Sequence, residues 1–180
     1  VNISLVGPAQ PVAPGSSTQA SLTVQNRGAV VDELLITVGG LSPAWVKLSK
    51  PSVSLLPGGQ EVVTIVFQPP RRPEALAGEN PFIVTVASRQ HAGQIATASG
   101  VLRLLPFDNL SLALSPQRSR RKFAVQIHNR GNAPQVYDFS ATDEEHGLNY
   151  AFQPPALSLA AGQSANVALD VAPKVKPRIG

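Results

Sequence analysis

The chain has 180 residues, of which 43% are hydrophobic and 14% charged, with 17 prolines and 14 glycines. This composition is typical of folded protein rather than a disordered chain, and the length suits one large or two small domains. The absence of cysteine excludes disulfides, thiolate catalysis and cysteine-ligated metals, and a net charge of +4 is only a mild basic excess.

The chain opens with VNISLVGPAQ, which lacks the basic start and long apolar stretch of a signal peptide. No apolar run approaches the ~18 residues that a membrane-spanning helix needs. Met is absent throughout, including position 1. We therefore expect the sequence to be a processed form or an excised fragment of a longer polypeptide.

Four stretches of the first half alternate apolar with polar residues at period two, which predicts β-strands. The alternating residues are Ala20, Leu22 and Val24; Leu34, Ile36 and Val38; Val63, Ile65 and Phe67; and Phe82, Val84 and Val86.

The tripeptide Asn-Arg-Gly occurs twice, at 26–28 and at 129–131, an offset of 103 residues. The segments 52–69 and 156–173 match at an offset of 104, and NISL from Asn2 matches NLSL from Asn109 at 107. A period near 100 indicates two copies of one domain, the second about four residues shorter between its first two strands. Asn-Arg-Gly is interpreted as a turn in which Asn hydrogen-bonds the backbone and Gly takes positive φ.

The second half repeats the alternation in three stretches, and no stretch keeps helical spacing beyond about two turns. Its inward positions are Phe123, Val125 and Ile127; Tyr137 and Phe139; and Val167, Leu169 and Val171. The prediction is an all-β fold of two tandem immunoglobulin-like antiparallel β-sandwiches, over residues 1–106 and 107–180.

The second domain is predicted to lack its last two strands. The first copy continues through strands at 81–90 and 94–105, whereas the second stops after VAPKVKPRIG. Such a domain exposes sheet edges and part of its core. We expect either that the parent chain continues or that another segment, from a protein partner or a neighbouring domain, pairs with the open edge.

The segment GLSPAWVKLSKPSVSLLPGGQEVVTIVFQPP, residues 40–70, resembles the immunoglobulin-like accessory domain found beside bacterial alpha-galactosidases and in cell-surface proteins. It is also similar to adhesion-related bacterial repeats and, more loosely, to sperm-protein-like domains. The similarity covers most of 1–105 and, less fully, 108–173. It implies a spacer, scaffold or protein-interaction role in a larger protein and brings no catalytic residues with it.

No pattern specific to an enzyme, cofactor or metal site is present. His91, His128 and His146 lack partners at metal-site spacing, and the loop 142–147 with Asp143 and two glutamates is interpreted as solvated. Trp45 is interpreted as a packing residue rather than a sugar-stacking platform. The chain is therefore predicted to be non-enzymatic and to need no cofactor.

The strongest charge cluster is PQRSRRKF, residues 116–123. Its basic residues, Arg118, Arg120, Arg121 and Lys122, form a candidate patch for an anionic partner. Only nine aromatic residues are present, and the larger ones fall at core-facing positions, so a base-stacking platform for nucleic acid is not indicated.

The predicted function is a structural or protein-interaction module, serving as spacer, scaffold or adhesion domain, of a larger bacterial surface or envelope protein. Two alternatives stay open: a carbohydrate-binding accessory to a glycosidase and a pilus-type chaperone that binds an extended strand. The predicted location is extracellular or in the cell envelope, although the residues do not exclude the cytoplasm.

Overall fold

A computed structural model describes residues 1–116 and 121–174, and its regular structure is β-strand apart from the 3-10 turn Pro43–Trp45. The chain divides into two compact units: Val1–Arg71 with Ala75–Pro106, and Arg72–Glu74 with Phe107–Gly180. All strand pairs named within the sheets are antiparallel. The all-β prediction with immunoglobulin-like sandwiches is confirmed.

The first unit is a sandwich of two four-stranded sheets, β1-β2-β6-β4 and β5-β3-β7-β8. Its strands are β1 (Asn2–Val6), β2 (Thr18–Gln25), β3 (Asp32–Gly39), β4 (Val46–Leu48), β5 (Ser52–Leu55), β6 (Gln60–Phe67), β7 (Gly78–Ser88) and β8 (Ile95–Leu104). The alternating residues of the sequence point inward because successive side chains of a strand lie on opposite faces of the sheet.

The core of the first unit lies between the two sheets and is closed. Leu22 and Val63 from one sheet and Val84 from the other are fully buried. Phe67 and Phe82 meet across the core with ring centroids 4.9 Å apart. Trp45, at the end of the 3-10 turn, is 9% exposed and belongs to the same cluster, as a packing residue should.

The second unit repeats the first six strands. They are β9 (Leu110–Ser115), β10 (Lys122–Asn129), β11 (Gln135–Asp138), β12 (Leu148–Gln153), β13 (Ala156–Leu159) and β14 (Ser164–Pro173). One sheet has the order β9-β10-β14-β12 and the other contains β11 and β13. In the described residues, strands corresponding to β7 and β8 are absent from this unit.

Pairing registers show which residues of the two units correspond. Asp32 pairs with Leu55 in the first unit, and Gln135 pairs with Leu159 in the second, at the sequence offsets of 103 and 104. The first strand differs from the sequence alignment. Ile3 pairs with Val24, whereas Leu112 pairs with Ile127, so the counterpart of Ile3 is Leu112 and not Leu110.

The alignment of NISL with NLSL was therefore wrong by two residues, and the true offset is 109. A shift of two along a strand keeps the same side chains facing inward, so the hydrophobic pattern cannot distinguish the two registers. The connection between the first two strands is consequently six residues shorter in the second unit, rather than about four.

The repeated Asn-Arg-Gly segment is held by a buried asparagine in each unit. The Asn26 Nδ2 donates to the carbonyl oxygens of Val30 and Leu55 at 2.8 and 2.9 Å, and the Asn26 Oδ1 accepts from the Gly28 N–H at 2.8 Å. The interpretation of Asn as a backbone-bonding turn residue is thus confirmed. Its bond to Leu55 additionally ties the turn to β5.

Asn129 repeats this arrangement in the second unit. It donates to the carbonyls of Ala133 and Leu159 at 2.9 and 3.1 Å and accepts from the Gly131 N–H at 3.0 Å. Both asparagines are almost fully buried, at 2% and 0% exposure. A buried amide needs such partners because an unmade hydrogen bond costs more than a made one contributes.

The prediction of positive φ at the Asn-Arg-Gly glycines was wrong. Gly28 and Gly131 lie outside the left-handed region, which instead holds Gly58 and Gly162 in the adjoining turn, each with φ of 75°. At Gly131 the requirement for glycine is close approach, since a Cβ would lie 2.5 Å from the Phe107 carbonyl oxygen.

Candidate protein-interaction face

Strand β11 has an unpaired edge. The Phe139 N–H donates to the Pro155 carbonyl at 3.1 Å, on the side of β13. Because backbone groups alternate between the two edges of an antiparallel strand, the N–H and C=O of Val136 and Asp138 face the opposite side. Within the described residues, β11 pairs with β13 alone, so this opposite edge has no strand against it.

The same edge is covered in the first unit. There Ile36 N–H donates to the Pro51 carbonyl at 2.9 Å, as Phe139 does to Pro155. On the other side, β3 pairs with β7, and the Glu33 carbonyl accepts from the Arg89 N–H at 2.9 Å. Val136 is the counterpart of Glu33. On this side of the strand, the first unit has β7, whereas the described residues of the second unit have no strand.

Strand β9 of the same unit carries a row of exposed leucines. Leu110, Leu112 and Leu114 are 46%, 58% and 46% exposed. Leu112 and Leu114 pair with Ile127 and Val125, which belong to the core cluster of the second unit, so the row faces the core side of its sheet.

The counterparts of these leucines in the first unit are Val1, Ile3 and Leu5, which pack against the core. Strand β1, which carries them, lies beside β8. The second unit has no counterpart of β8 in its described residues, which explains why the leucine row is exposed.

Aromatic side chains fill the space behind the β11 edge. Tyr137, Phe139 and Phe152 are half-buried, and the rings of Phe139 and Phe152 stack at 5.6 Å with an interplanar angle of 27°. Burial, with a smaller contribution from the charge of Asp108, raises the pKa of Tyr137. We call the leucine row, the free edge of Val136 and Asp138, and the half-buried Tyr137 and Phe139 the open face.

The predicted basic patch is only partly described. Arg118 and Arg120 lie outside the described residues. Arg121 and Lys122 are exposed at the start of β10, where the Arg121 carbonyl accepts from the Val171 N–H at 2.8 Å. Binding of an anionic partner at this patch stays a prediction.

The acidic loop satisfies its own carboxylate. Asp143 accepts from the backbone N–H groups of Gly147 at 2.7 Å and Leu148 at 3.2 Å, and from the Tyr150 hydroxyl at 3.4 Å. The backbone donors, Gly147 first, lower the pKa of Asp143 despite partial desolvation. This carboxylate is therefore engaged in holding its loop.

The histidines do not form a site with one another. His91 lies in the β7–β8 turn with its Nδ1 3.8 Å from Asp32, His128 lies on β10, and His146 lies in the acidic loop. In the part of the chain that the structure describes, no group of three or more His, Cys, Asp or Glu side chains is arranged to hold a metal ion.

Sequence reasoning predicted the open edge but missed the leucine row. The alternation of Leu110, Leu112 and Leu114 was visible as a strand pattern, which normally indicates burial. Only the three-dimensional arrangement shows that, among the described residues, no strand covers this side of the sandwich.

The strand arrangement supports the immunoglobulin-like part of the resemblance, whereas the comparisons with known proteins do not support the alpha-galactosidase-associated type. No family model matches the chain, and no curated protein matches it. Within the described residues, no helix is long and apolar enough to span a membrane.

Three solved structures illustrate the likeness. A PapD-like domain of human CEP192 has 16% identity and a TM-score of 0.38, covering 57% of this chain and 82% of its own. The Pseudomonas aeruginosa CupB2 chaperone has 11% identity and a TM-score of 0.40, covering 90% of this chain and 87% of its own. The Acinetobacter baumannii CsuC–CsuE chaperone–tip subunit complex has 10% identity and a TM-score of 0.37, covering 100% and 90%. At these identities and TM-scores, the similarity does not indicate a function for this chain.

Proposed function

We propose that the chain is a non-enzymatic protein-interaction module of a larger bacterial surface or envelope protein, and that it contacts protein through the open face. The observation that carries the proposal is the free edge of β11, in a unit that also exposes the leucine row of β9. Free backbone groups bind an extended segment through main-chain hydrogen bonds, which give the affinity, and pockets for alternate side chains give the specificity.

The exposed leucines favour an interaction role over that of a passive spacer. A spacer needs only closed domains, and in the first unit the same strand framework packs Val1, Ile3 and Leu5 of this side against the core. Exposed apolar rows and free strand edges are both typical of protein-binding sites, and both favour aggregation when left uncovered.

A pilus-type chaperone that binds an extended strand is the second candidate. The same free edge supports it, because a strand-binding chaperone requires unpaired backbone next to an apolar groove. The two candidates differ in how long the partner stays bound. A chaperone releases its subunit, whereas a structural module keeps its partner. Release of bound partner on assembly would therefore favour the chaperone.

A carbohydrate-binding accessory role has less support. Sugar stacking needs an exposed aromatic face, yet every aromatic residue of the chain is buried or half-buried. Trp45 belongs to the core, and the Tyr150 hydroxyl donates to Asp143.

Site-specific photo-crosslinking tests the proposed function. A benzophenone amino acid is placed at Leu112 of the open face or, as a matched control, at Val62, an equally exposed residue on the outer face of the first unit. In cells that make the parent protein, position 112 should give a crosslinked protein adduct and position 62 should not. Equal or absent crosslinking at the two positions would contradict the proposal.

A further inference from the structure

We infer that a cavity at one end of the first unit binds a primary ammonium group on an alkyl chain, as carried by a lysine side chain or a free amine. The cavity lies between the β2–β3 turn and the β7–β8 turn and has a volume of about 240 Å³. Its lining includes the polar residues Asp32, His91 and Gln94 and the apolar residues Ala29 and Val30. We call it the Asp32 cavity. It belongs to the first unit, whereas the open face belongs to the second.

The carboxylate of Asp32 is the only acidic group that lines this cavity, and it is buried. Its side chain is 4% exposed. Oδ1 accepts a hydrogen bond from the Ser88 hydroxyl at 2.8 Å. Among the described residues, no hydrogen bond reaches Oδ2, and the His91 Nδ1 lies 3.8 Å from it. A buried carboxylate needs a paired charge or several hydrogen bonds, so Oδ2 is the atom at which a cation would be stabilised.

The arginines nearest to Asp32 in the sequence of the two turns are engaged elsewhere. The Arg27 Nε donates to the Gln25 side-chain oxygen at 3.4 Å, and Arg89 forms an ion pair with Glu33 at 3.3 Å. No lysine or arginine is among the described residues that line the cavity. The negative charge of Asp32 is therefore left for a ligand to neutralise.

The polar groups of the cavity match an ammonium better than a guanidinium. An ammonium is a compact charge with three donors, whereas a guanidinium is planar and binds a carboxylate best through both oxygens. Because Oδ1 of Asp32 already accepts from Ser88, Oδ2 is the oxygen that a ligand meets. The imidazole of His91 and the side-chain amide oxygen of Gln94 line the same cavity and can accept the two remaining hydrogen bonds.

The apolar side of the cavity suits the alkyl chain that carries the ammonium. Ala29 and Val30 line the cavity, and Val30 is also 51% exposed at the surface. Methylene groups of an amine pack along such apolar atoms while the charged head contacts polar groups. The volume lies below the roughly 300–1,000 Å³ of sites for drug-sized molecules, so the cavity takes a group of side-chain size.

The second unit shows that the strand framework does not need this carboxylate. Gln135 is the counterpart of Asp32, and its side chain donates to Asp108 at 2.6 Å. In the described residues of the second unit, Ser88 and His91 have no counterparts, since no β7–β8 hairpin is present there. The second unit nevertheless forms the same Asn-Arg-Gly turn. The buried carboxylate is thus an addition to the framework, as expected of a ligand site.

NMR titration of the 180-residue chain tests the inference. The probes are Nα-acetyl-lysine amide, n-butylammonium, Nα-acetyl-arginine amide and, without a charge, Nα-acetyl-norleucine amide. The first two should shift the amide resonances of Asp32, His91 and Gln94 saturably, while Gln135 stays unchanged. The arginine probe should bind more weakly than the lysine probe, and the norleucine probe roughly tenfold more weakly or less. Tighter binding of the lysine probe than of n-butylammonium would identify a side chain as the source, and the reverse order a free amine.

Variants show whether the amine binds at Asp32. Asp32→Asn keeps the shape of the side chain, removes its charge and should weaken binding of the lysine probe by roughly tenfold or more. Glu33→Gln removes the neighbouring, more exposed carboxylate and should bind within about twofold of the parent. His91→Lys places an ammonium of the chain itself beside Asp32 and should abolish binding, whereas His91→Gln should retain it. Because His91 is 45% exposed, these two variants give an answer even if Asp32→Asn impairs folding.

Four results would overturn the inference: no saturable shift with either amine, equal affinity for the lysine and norleucine probes, tighter binding of the arginine probe than of the lysine probe, or unchanged binding by Asp32→Asn or His91→Lys. Crosslinking at position 112 reports on the second unit. Either experiment can therefore fail while the other succeeds, which separates this inference from the proposed function.

Discussion

The two units share a strand framework but differ in whether it is closed. Both use a buried asparagine to tie the turn after the second strand to the fifth strand, and both place a left-handed glycine in the adjoining turn. Yet Ile3 packs against a core while its counterpart Leu112 is 58% exposed. The turns and strand pairings shared by the two units therefore form without the β7–β8 hairpin that closes the first sandwich.

The largest expected effect concerns the closing hairpin of the first unit. Phe82→Ala should destabilise that unit by about 3–5 kcal/mol, because it leaves a cavity against Phe67 in a closed core. Urea unfolding followed by Trp45 fluorescence measures it, with the exposed Val62→Ala as control, expected within about 0.5 kcal/mol. A loss below about 1 kcal/mol for Phe82→Ala would show that the hairpin does not close the core.

The two buried asparagines, Asn26 and Asn129, should contribute equally to the stability of their units. Asn26→Ala and Asn129→Ala should each cost about 1–3 kcal/mol, since each leaves buried carbonyl groups without a donor. Calorimetric unfolding of the two variants measures this. Arg27→Ala and Arg130→Ala, exposed neighbours in the same turns, are controls expected within about 0.5 kcal/mol. A large cost in one unit only would break the equivalence.

The open face gives a smaller and asymmetric effect. Ile3→Ser should destabilise the first unit by about 1–2 kcal/mol because Ile3 packs against the core. Leu112→Ser should change the stability of the second unit by less than about 0.5 kcal/mol, because this side chain is already exposed. Thermal unfolding of both variants makes the comparison, and an equal loss at the two positions would mean that Leu112 is covered.

The smallest effect is local and depends on pH. The pKa of Asp143 is lowered, so its stabilising contribution to the acidic loop is fully present above the ordinary carboxyl pKa and is lost as the pH falls below about 4. The amide resonances of Gly147 and Leu148 should report this transition in an NMR titration. Asp143→Asn should remove it; an unchanged titration in that variant would assign the transition to another group.

Particular residues show what the sequence could predict. The inward positions and the turn role of Asn26 and Asn129 followed from period-two alternation and turn chemistry, which are local properties. The register of β9 did not, because a two-residue shift preserves the hydrophobic pattern. Of the open face, the sequence predicted the free strand edge but not the exposed leucines. The exposure of Leu112 depends on strands that are distant in the sequence or absent from the described residues.

Residue-resolved amide hydrogen exchange distinguishes the paired edge of β11 from its free edge. In the 180-residue chain without any partner, Tyr137 and Phe139 should be protected, Val136 and Asp138 should exchange fast, and Leu35 of β3, the counterpart of Asp138 that faces β7, should be protected. Equal protection of Val136, Asp138 and their paired neighbours in a monomer would show that both edges of β11 are paired.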